Sequence, residues 1–280
     1  MHPTLFWIGG FQITTYGLML ALAFAAAGWL MLRRGEKEGI PVDFLQNLMV
    51  AVVIAGLVGS RVLYVLVNLD YFREHPFEMV FSREGYVFIG GLLVGLGTAL
   101  FLIHRHRQDV WRIGDLFAPY LAMAQGIGRL GCFGFGCCFG RPSSLLWAVR
   151  FPRTINPITG DIDGSPAYLY HLSEGWIDSH ATHSLPVHPT QLYDSAVGWL
   201  NLLFLLYLRG RGCRTGELWL AYLMFYSVGR FLVEFARGDP RGEILHFLST
   251  SQAVGIVIFF GALGTLIWRR AKSGGGGRGE

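Results

Sequence analysis

The chain has 280 residues, 52% of them hydrophobic and only 15% charged, and its mean hydropathy is +0.42. That charge content is well below what a soluble domain carries, so a polytopic membrane protein is the class it favours. The net charge of +4 comes largely from basic residues gathered on one side of the predicted membrane, so it is no argument for nucleic acid.

Seven stretches are long enough, at roughly 17 to 25 residues, to cross a bilayer as helices. They run over 13–32, 45–68, 86–103, 113–131, 191–208, 216–235 and 252–268. The first lacks a basic leading region and no small-residue cleavage pattern follows it, so it is read as a retained helix rather than a signal peptide. Orientation follows from the short connections. Arg33, Arg34 and Lys37, then Arg105, Arg107 and Arg112, then Arg209, Arg211 and Arg214, then Arg269, Arg270 and Lys272 all fall on one side. The opposite short connections hold only Arg73, Arg83, Arg237 and Arg241. The predicted fold is therefore all-α, with seven transmembrane helices, the N-terminus outside and the C-terminus cytoplasmic. Residues 1–131 hold helices one to four, 132–189 form a small external subdomain, 190–270 hold helices five to seven, and 271–280 are a flexible cytoplasmic tail.

Within the external connection, Asp161, Asp163 and Gly164 resemble the start of a calcium loop, but its later ligands are missing and an ordinary turn is expected. His171, His180, His183 and His188 have no zinc spacing and read as solvated loop histidines.

Arg61, Arg129 and Arg230 lie inside the second, fourth and sixth stretches, where a cation is costly unless a protein interior, a water-filled cavity or an anion offsets it. These three stretches run outward in the predicted topology, and each arginine falls in the last third of its own. The three cations then converge near the outer headgroups. A guanidinium keeps its charge and presents a fork matched to phosphate, so the pattern points to a phosphate-bearing ligand, most simply a phospholipid headgroup. The competing reading is that each arginine snorkels independently to the interface.

The helix faces add detail. Arg61, Tyr64 and Asn68 share one face of the second helix, while Gly56 and Ser60 give a small-residue strip for packing. Gly91 and Gly95 make a similar packing pair on the third. Tyr226, Arg230, Glu234 and Arg237 form a polar stripe on the sixth, with Glu234 one turn from Arg230. The fourth ends in a run from Gly128 to Pro142 holding Arg129, Gly131, Cys132, Gly134, Gly136, Cys137, Cys138, Gly140 and Arg141. Such glycine density disfavours a regular helix and suits a loop whose amides approach an anion. The fifth opens with His188, Pro189, Thr190, Gln191, Leu192, Tyr193, Asp194 and Ser195. Thr190 is expected to cap it, and Gln191, Asp194 and Ser195 face one way.

Together these residues resemble the bacterial prolipoprotein diacylglyceryl transferase family over nearly the whole chain. The resemblance rests on Tyr16-Gly17-Leu18, Gly59-Ser60-Arg61 with Tyr64, Gly90-Gly91-Leu92, the run from Gly128 to Arg141, His188 to Tyr193, and Gly229-Arg230-Phe231 with Glu234 and Arg237. It implies a multi-pass enzyme of the bacterial plasma (inner) membrane, embedded among membrane lipids. Such an enzyme transfers the diacylglyceryl group of phosphatidylglycerol to the lipobox cysteine of a prolipoprotein and releases glycerol 1-phosphate. It further implies that Arg129 and Arg230 grip the phosphate, that Glu234 orients Arg230, and that Tyr16 and Arg61 line the lipid cavity. Tyr64, Gly90, Gly91, Gly140, Arg141, His188, Gln191, Tyr193 and Arg237 complete the expected substrate contacts. No cofactor and no metal are expected.

The chain departs from the family's commoner pattern at three positions. Ile89 stands where a histidine usually precedes the glycine pair, and Cys132 and Cys137 stand where an asparagine and a glutamate are usual. A branch with the same reaction and a divergent member with altered chemistry both fit these changes. For the cysteines themselves, an oxidising external location allows a Cys132–Cys137 or Cys132–Cys138 disulfide. A metal site is set aside because three thiols lack a fourth ligand. Small-residue packing is the plainer reading. Two further readings are a non-catalytic phospholipid or anion transporter, and a redox membrane protein built on the cysteines. No inverted repeat or pair of broken helices supports the transporter.

Overall fold

The computed structural model describes residues 3–8, 11–81, 85–155, 160, 164–240, 243–245 and 248–275. A short antiparallel pair, β1 (Thr4–Ile8) and β2 (Phe11–Thr14), leads into α1 (Thr15–Lys37) and α2 (Val42–Val67). Two single turns follow, α3 (Leu69–Glu74) and α4 (Pro76–Phe81), then the long helices α5 (Phe88–Arg105) and α6 (Val110–Phe135). After α7 (Pro166–Ser173) come α8 (Thr190–Gly210) and α9 (Glu217–Glu234). A second antiparallel pair, β3 (Glu243–Leu245) and β4 (Leu248–Ser249), precedes α10 (Thr250–Gly275).

Each of the seven predicted stretches corresponds to a long helix, and the two strand pairs supplement the all-α expectation. Four of the helices, α1, α2, α5 and α10, are long and apolar enough to cross a membrane by length and composition. On α2, Val50, Ile54, Leu57 and Val58 are all exposed. Such a bare apolar face needs hydrocarbon as its solvent, with all backbone bonds made inside the helix. The protein is a multi-pass membrane protein. Asp161 and Asp163, Arg83 and Arg241, and the last residues of the expected tail lie outside the described residues.

The chain divides into two compact units, 28–116 and 1–27 with 117–280. In the first, α2 and α5 pack along a glycine seam. A Cβ at Gly59 would come within 2.6 Å of the Gly90 carbonyl oxygen, and one at Gly91 within 2.7 Å of that of Gly56. Only hydrogen side chains allow this approach, so Gly56 and Gly91 do the packing expected of them.

In the second unit, Ala118, Ala122, Leu205, Leu218 and Ala221 form a buried cluster joining α6, α8 and α9. Gly198 of α8 sits so close to α6 that a Cβ there would be 2.7 Å from the Gly126 nitrogen. A separate core of Phe139, Phe151, Ala167 and Val187 organises the segment between α6 and α8. There Ser165 caps α7, its side chain accepting from the Tyr168 amide, with Pro166 at the first helical position. Proline suits that position because its missing N–H has no partner to lose.

Candidate active site: arginines gathered on Asp194

The glycine-rich run is not a loop from Gly128 onward. It stays helical to Phe135, so Gly128, Gly131 and Gly134 are helix residues. At Gly131 and Gly134 the cost, about 1 kcal/mol each relative to alanine, is offset by close approach to α1, whereas a Cβ at Gly128 would meet open space. A Cβ at Gly131 would lie 2.8 Å from the Met19 Cβ and 3.3 Å from the Tyr16 Cα. The chain reverses only afterwards, with Gly136 at φ +85 and Cys138 at φ +57. Positive φ suits glycine, whereas Cys138 holds a strained conformation of the kind found at functional sites.

Beyond the reversal, Phe139 to Arg141 is threaded between two other segments. Gly140 donates to the His188 carbonyl at 3.1 Å and Arg141 to that of Ala236 at 2.9 Å, while Gly238 donates to that of Phe139 at 3.1 Å. A Cβ at Gly140 would meet the His188 oxygen at 2.5 Å and the Ala236 oxygen at 2.7 Å. The Arg141 Nε donates to the Arg237 carbonyl at 3.0 Å. The segments before α8, after α6 and after α9 are thus held together by backbone.

Asp194 lies at the centre. Its Oδ2 is 3.1 Å from an Arg129 guanidinium nitrogen and 3.2 Å from one of Arg237. Arg237 also forms a two-toothed pair with Asp239, at 2.9 and 3.1 Å. Asp194 and Arg237 are buried, whereas the Arg129 side chain keeps 20% of its surface exposed. Arg129 is therefore charge-balanced by Asp194 and still partly exposed. Arg230 and Glu234 pair at 2.6 Å, both buried, and Arg230 donates to the Ser251 hydroxyl at 3.3 Å. The expected stripe ends there: α9 stops at Glu234, and Arg237 turns off the helix to reach Asp194.

Thr190 does not cap α8. Its hydroxyl instead donates to the Cys138 carbonyl at 2.8 Å, and the Gln191 amide donates to that of Cys137 at 2.7 Å. Cys132, Cys137 and Cys138 are free thiols whose sulfurs all lie within 4.8 Å of one another. Hydrogen bonds from the Cys132 and Cys137 thiols, with the charges of Arg237 and Arg129, hold the Cys138 thiol below its ordinary range. The Cys132 and Cys138 contacts push Cys137 up.

The other expected residues are distributed as follows. Tyr16 packs its ring 6.4 Å from that of Phe135. The Tyr193 hydroxyl accepts from Trp147 Nε1 at 2.8 Å and lies 3.4 Å from His188 Nδ1. In the 28–116 unit, Arg61 donates to the carbonyls of Gly85 and Met79 and lies against the Tyr64 and Tyr86 rings. Gly90 and Gly91 belong to the α2–α5 seam, and Ile89 is exposed on α5. Sequence reasoning named Asp194 as one of a set facing one way, without making it a site residue, and it missed Asp239 and Ser251. The three-residue spacing of Gln191 and Asp194 was the available signal.

Buried carboxylates hold guanidiniums at the ends of the apolar helices of this membrane protein, an arrangement whose chemistry suits an anion. A family model described as prolipoprotein diacylglyceryl transferase matches residues 3–268. The phosphatidylglycerol–prolipoprotein diacylglyceryl transferase of Clostridium tetani is 33% identical over 256 residues, which covers 91% of this chain and 93% of the relative. That of Limosilactobacillus reuteri is 33% identical over 279 residues, covering 98% and 93%. The enzyme called transferase 2 of Clostridium perfringens is 33% identical over 259 residues, covering 91% of each. The chain belongs to the prolipoprotein diacylglyceryl transferase family and is a transferase of lipoprotein biosynthesis.

Proposed function

We propose that this protein moves the diacylglyceryl group of phosphatidylglycerol onto the lipobox cysteine of a prolipoprotein and releases glycerol 1-phosphate. It works as a seven-span protein of the bacterial inner membrane, N-terminus outside, with residues 132–189 capping the outer face. The observation that carries this reading is Arg129, partly open and anchored on the buried Asp194. In the reaction the thiolate sulfur attacks the glyceryl carbon, the carbon–oxygen bond to phosphate breaks, and negative charge grows on the departing phosphate. Guanidinium groups fixed beforehand by carboxylates stabilise that charge without reorganising. Arg129 and Arg230 supply the clamp, Glu234 and Asp194 hold its parts, and Arg237 steadies Asp194 from the other side. Tyr16 lines the lipid cavity.

The test is to give the purified protein phosphatidylglycerol vesicles and a lipobox peptide, then assay Arg129→Lys and Arg230→Lys alongside. Thioether-linked diacylglycerol on the peptide is expected from the native protein, and each lysine variant should lose turnover. Lysine variants with unchanged turnover would refute the guanidinium clamp. Lipid movement between leaflets with no peptide modified would support the transporter reading instead.

A further inference from the structure

We propose that Cys132, Cys137 and Cys138 hold a zinc ion whose open fourth position takes the incoming lipobox cysteine as its thiolate. This rests on the transferase reading above. It begins from geometry, since the three sulfurs lie within 4.8 Å of one another. Zinc–sulfur bonds of about 2.3 Å place tetrahedral sulfurs about 3.8 Å apart, so closing the site takes side-chain shifts of about an ångström or less. Three protein ligands are not one too few. Structural zinc sites are closed by four, whereas catalytic sites use three and leave the last position to water or substrate.

The surroundings fit a built site. Cys132 sits in the last turn of α6, and the positive φ values at Gly136 and Cys138 bring the chain back so that the other two sulfurs meet it. Gln191 and Thr190, both fully buried, hold the Cys137 and Cys138 carbonyls. Three thiolates around a divalent ion leave a single negative charge. The positive charges of Arg237 and Arg129 both act on Cys138, so that charge is offset.

The site also supplies a step the arginines cannot. The nearby carboxylates Asp194 and Asp239 are already engaged by guanidiniums. A thiol that coordinates a metal is deprotonated outright. The lipobox thiol displaces water from the fourth position and its proton passes to bulk water. The sulfur pair then forms the bond to the glyceryl carbon, while the electrons of the breaking carbon–oxygen bond leave on the phosphate of glycerol phosphate. The neutral thioether dissociates and water returns.

The test uses the full-length protein purified in detergent. Metal analysis should find about one zinc per chain, lost in Cys132→Ser and Cys138→Ser. Replacing zinc by cobalt in the native protein should give sulfur-to-cobalt charge-transfer absorption and tetrahedral d–d bands. The d–d bands should shift when a lipobox peptide is added and not when its cysteine is replaced by serine. Gln191→Leu should weaken metal affinity about 10- to 100-fold by freeing a ligand's support. Stripping the metal with a chelator should abolish transfer, and zinc should restore it. The proposal is overturned if the native protein retains no zinc, if the cobalt bands ignore the thiol, or if stripped protein transfers at the full rate. Zinc and thiol binding without any lipid transfer would uphold the site and refute the transferase reading separately.

Discussion

The Asp194 carboxylate of α8 meets the Arg129 guanidinium of α6 at 3.1 Å, and it does so while almost wholly buried. The same oxygen holds Arg237, so one carboxylate sets the position of two cations. Removing it takes the carboxylate from Arg129 and leaves Arg237 with Asp239 alone. Asp194→Asn, which keeps the shape, is expected to lower stability by about 3–5 kcal/mol and to reduce transfer as well. Thermal unfolding in detergent and turnover measured on the same preparation check both effects.

Arg129→Lys keeps the charge and loses the fork. Phosphate then meets a point charge in place of paired donors, and turnover should fall about 100- to 1,000-fold, the usual cost of losing one fixed donor to a developing anion. Melting temperature should move little, because the substituted ammonium still faces Asp194. A variant turning over at the native rate would show that Arg129 only balances charge.

Gly140→Ala tests the threaded strand. The added methyl would press on the backbone oxygens of His188 and Ala236, neither of which is the far end of a flexible side chain. A loss of about 1–3 kcal/mol is expected, as for overpacking elsewhere. It should appear as faster hydrogen exchange at the Gly140 and Gly238 amides.

His171 gives the segment between α6 and α8 a pH dependence. Its ring is fully buried and its Nδ1 accepts from the Leu185 amide at 3.2 Å, so it is neutral when folded. Burial lowers its pKa from the ordinary value of 6.5. The sign follows: above about pH 6.5 the contribution is fully present, and as pH falls further the unfolded chain binds a proton that the folded chain refuses. The protection factor of the Leu185 amide, with the intrinsic exchange rate divided out, should therefore fall as pH drops below that value, and His171→Asn should flatten the dependence.

Much of the helical framework was legible because apolar length is a strong signal. Each of the seven stretches corresponds to a helix, though α6 extends past Gly131 to Phe135. Glycine's low helix propensity in water argues for an earlier end, whereas Gly131 serves contact with Tyr16 and Met19. The site was partly legible. The Arg230–Glu234 pair is local, one helical turn long, and periodicity finds it. Asp194 lies 65 residues beyond Arg129, and nothing in periodicity links two faces of different helices. Arg237 looked like a fourth member of the stripe because the pattern continues past the point where α9 stops. The meeting of the three sulfurs depends on backbone reversal at Gly136 and at Cys138, a residue type with no preference for positive φ.

The central claim is that lipid transfer to the thiol and departure of glycerol phosphate are one event. The direct measurement incubates the native protein with phosphatidylglycerol labelled in its headgroup glycerol and a lipobox peptide, and counts both products by mass spectrometry. The account predicts one labelled glycerol phosphate for each diacylglyceryl thioether formed, and neither product when the peptide's cysteine is replaced by serine. Glycerol phosphate released without thioether, or an unmodified peptide at full lipid turnover, would contradict it.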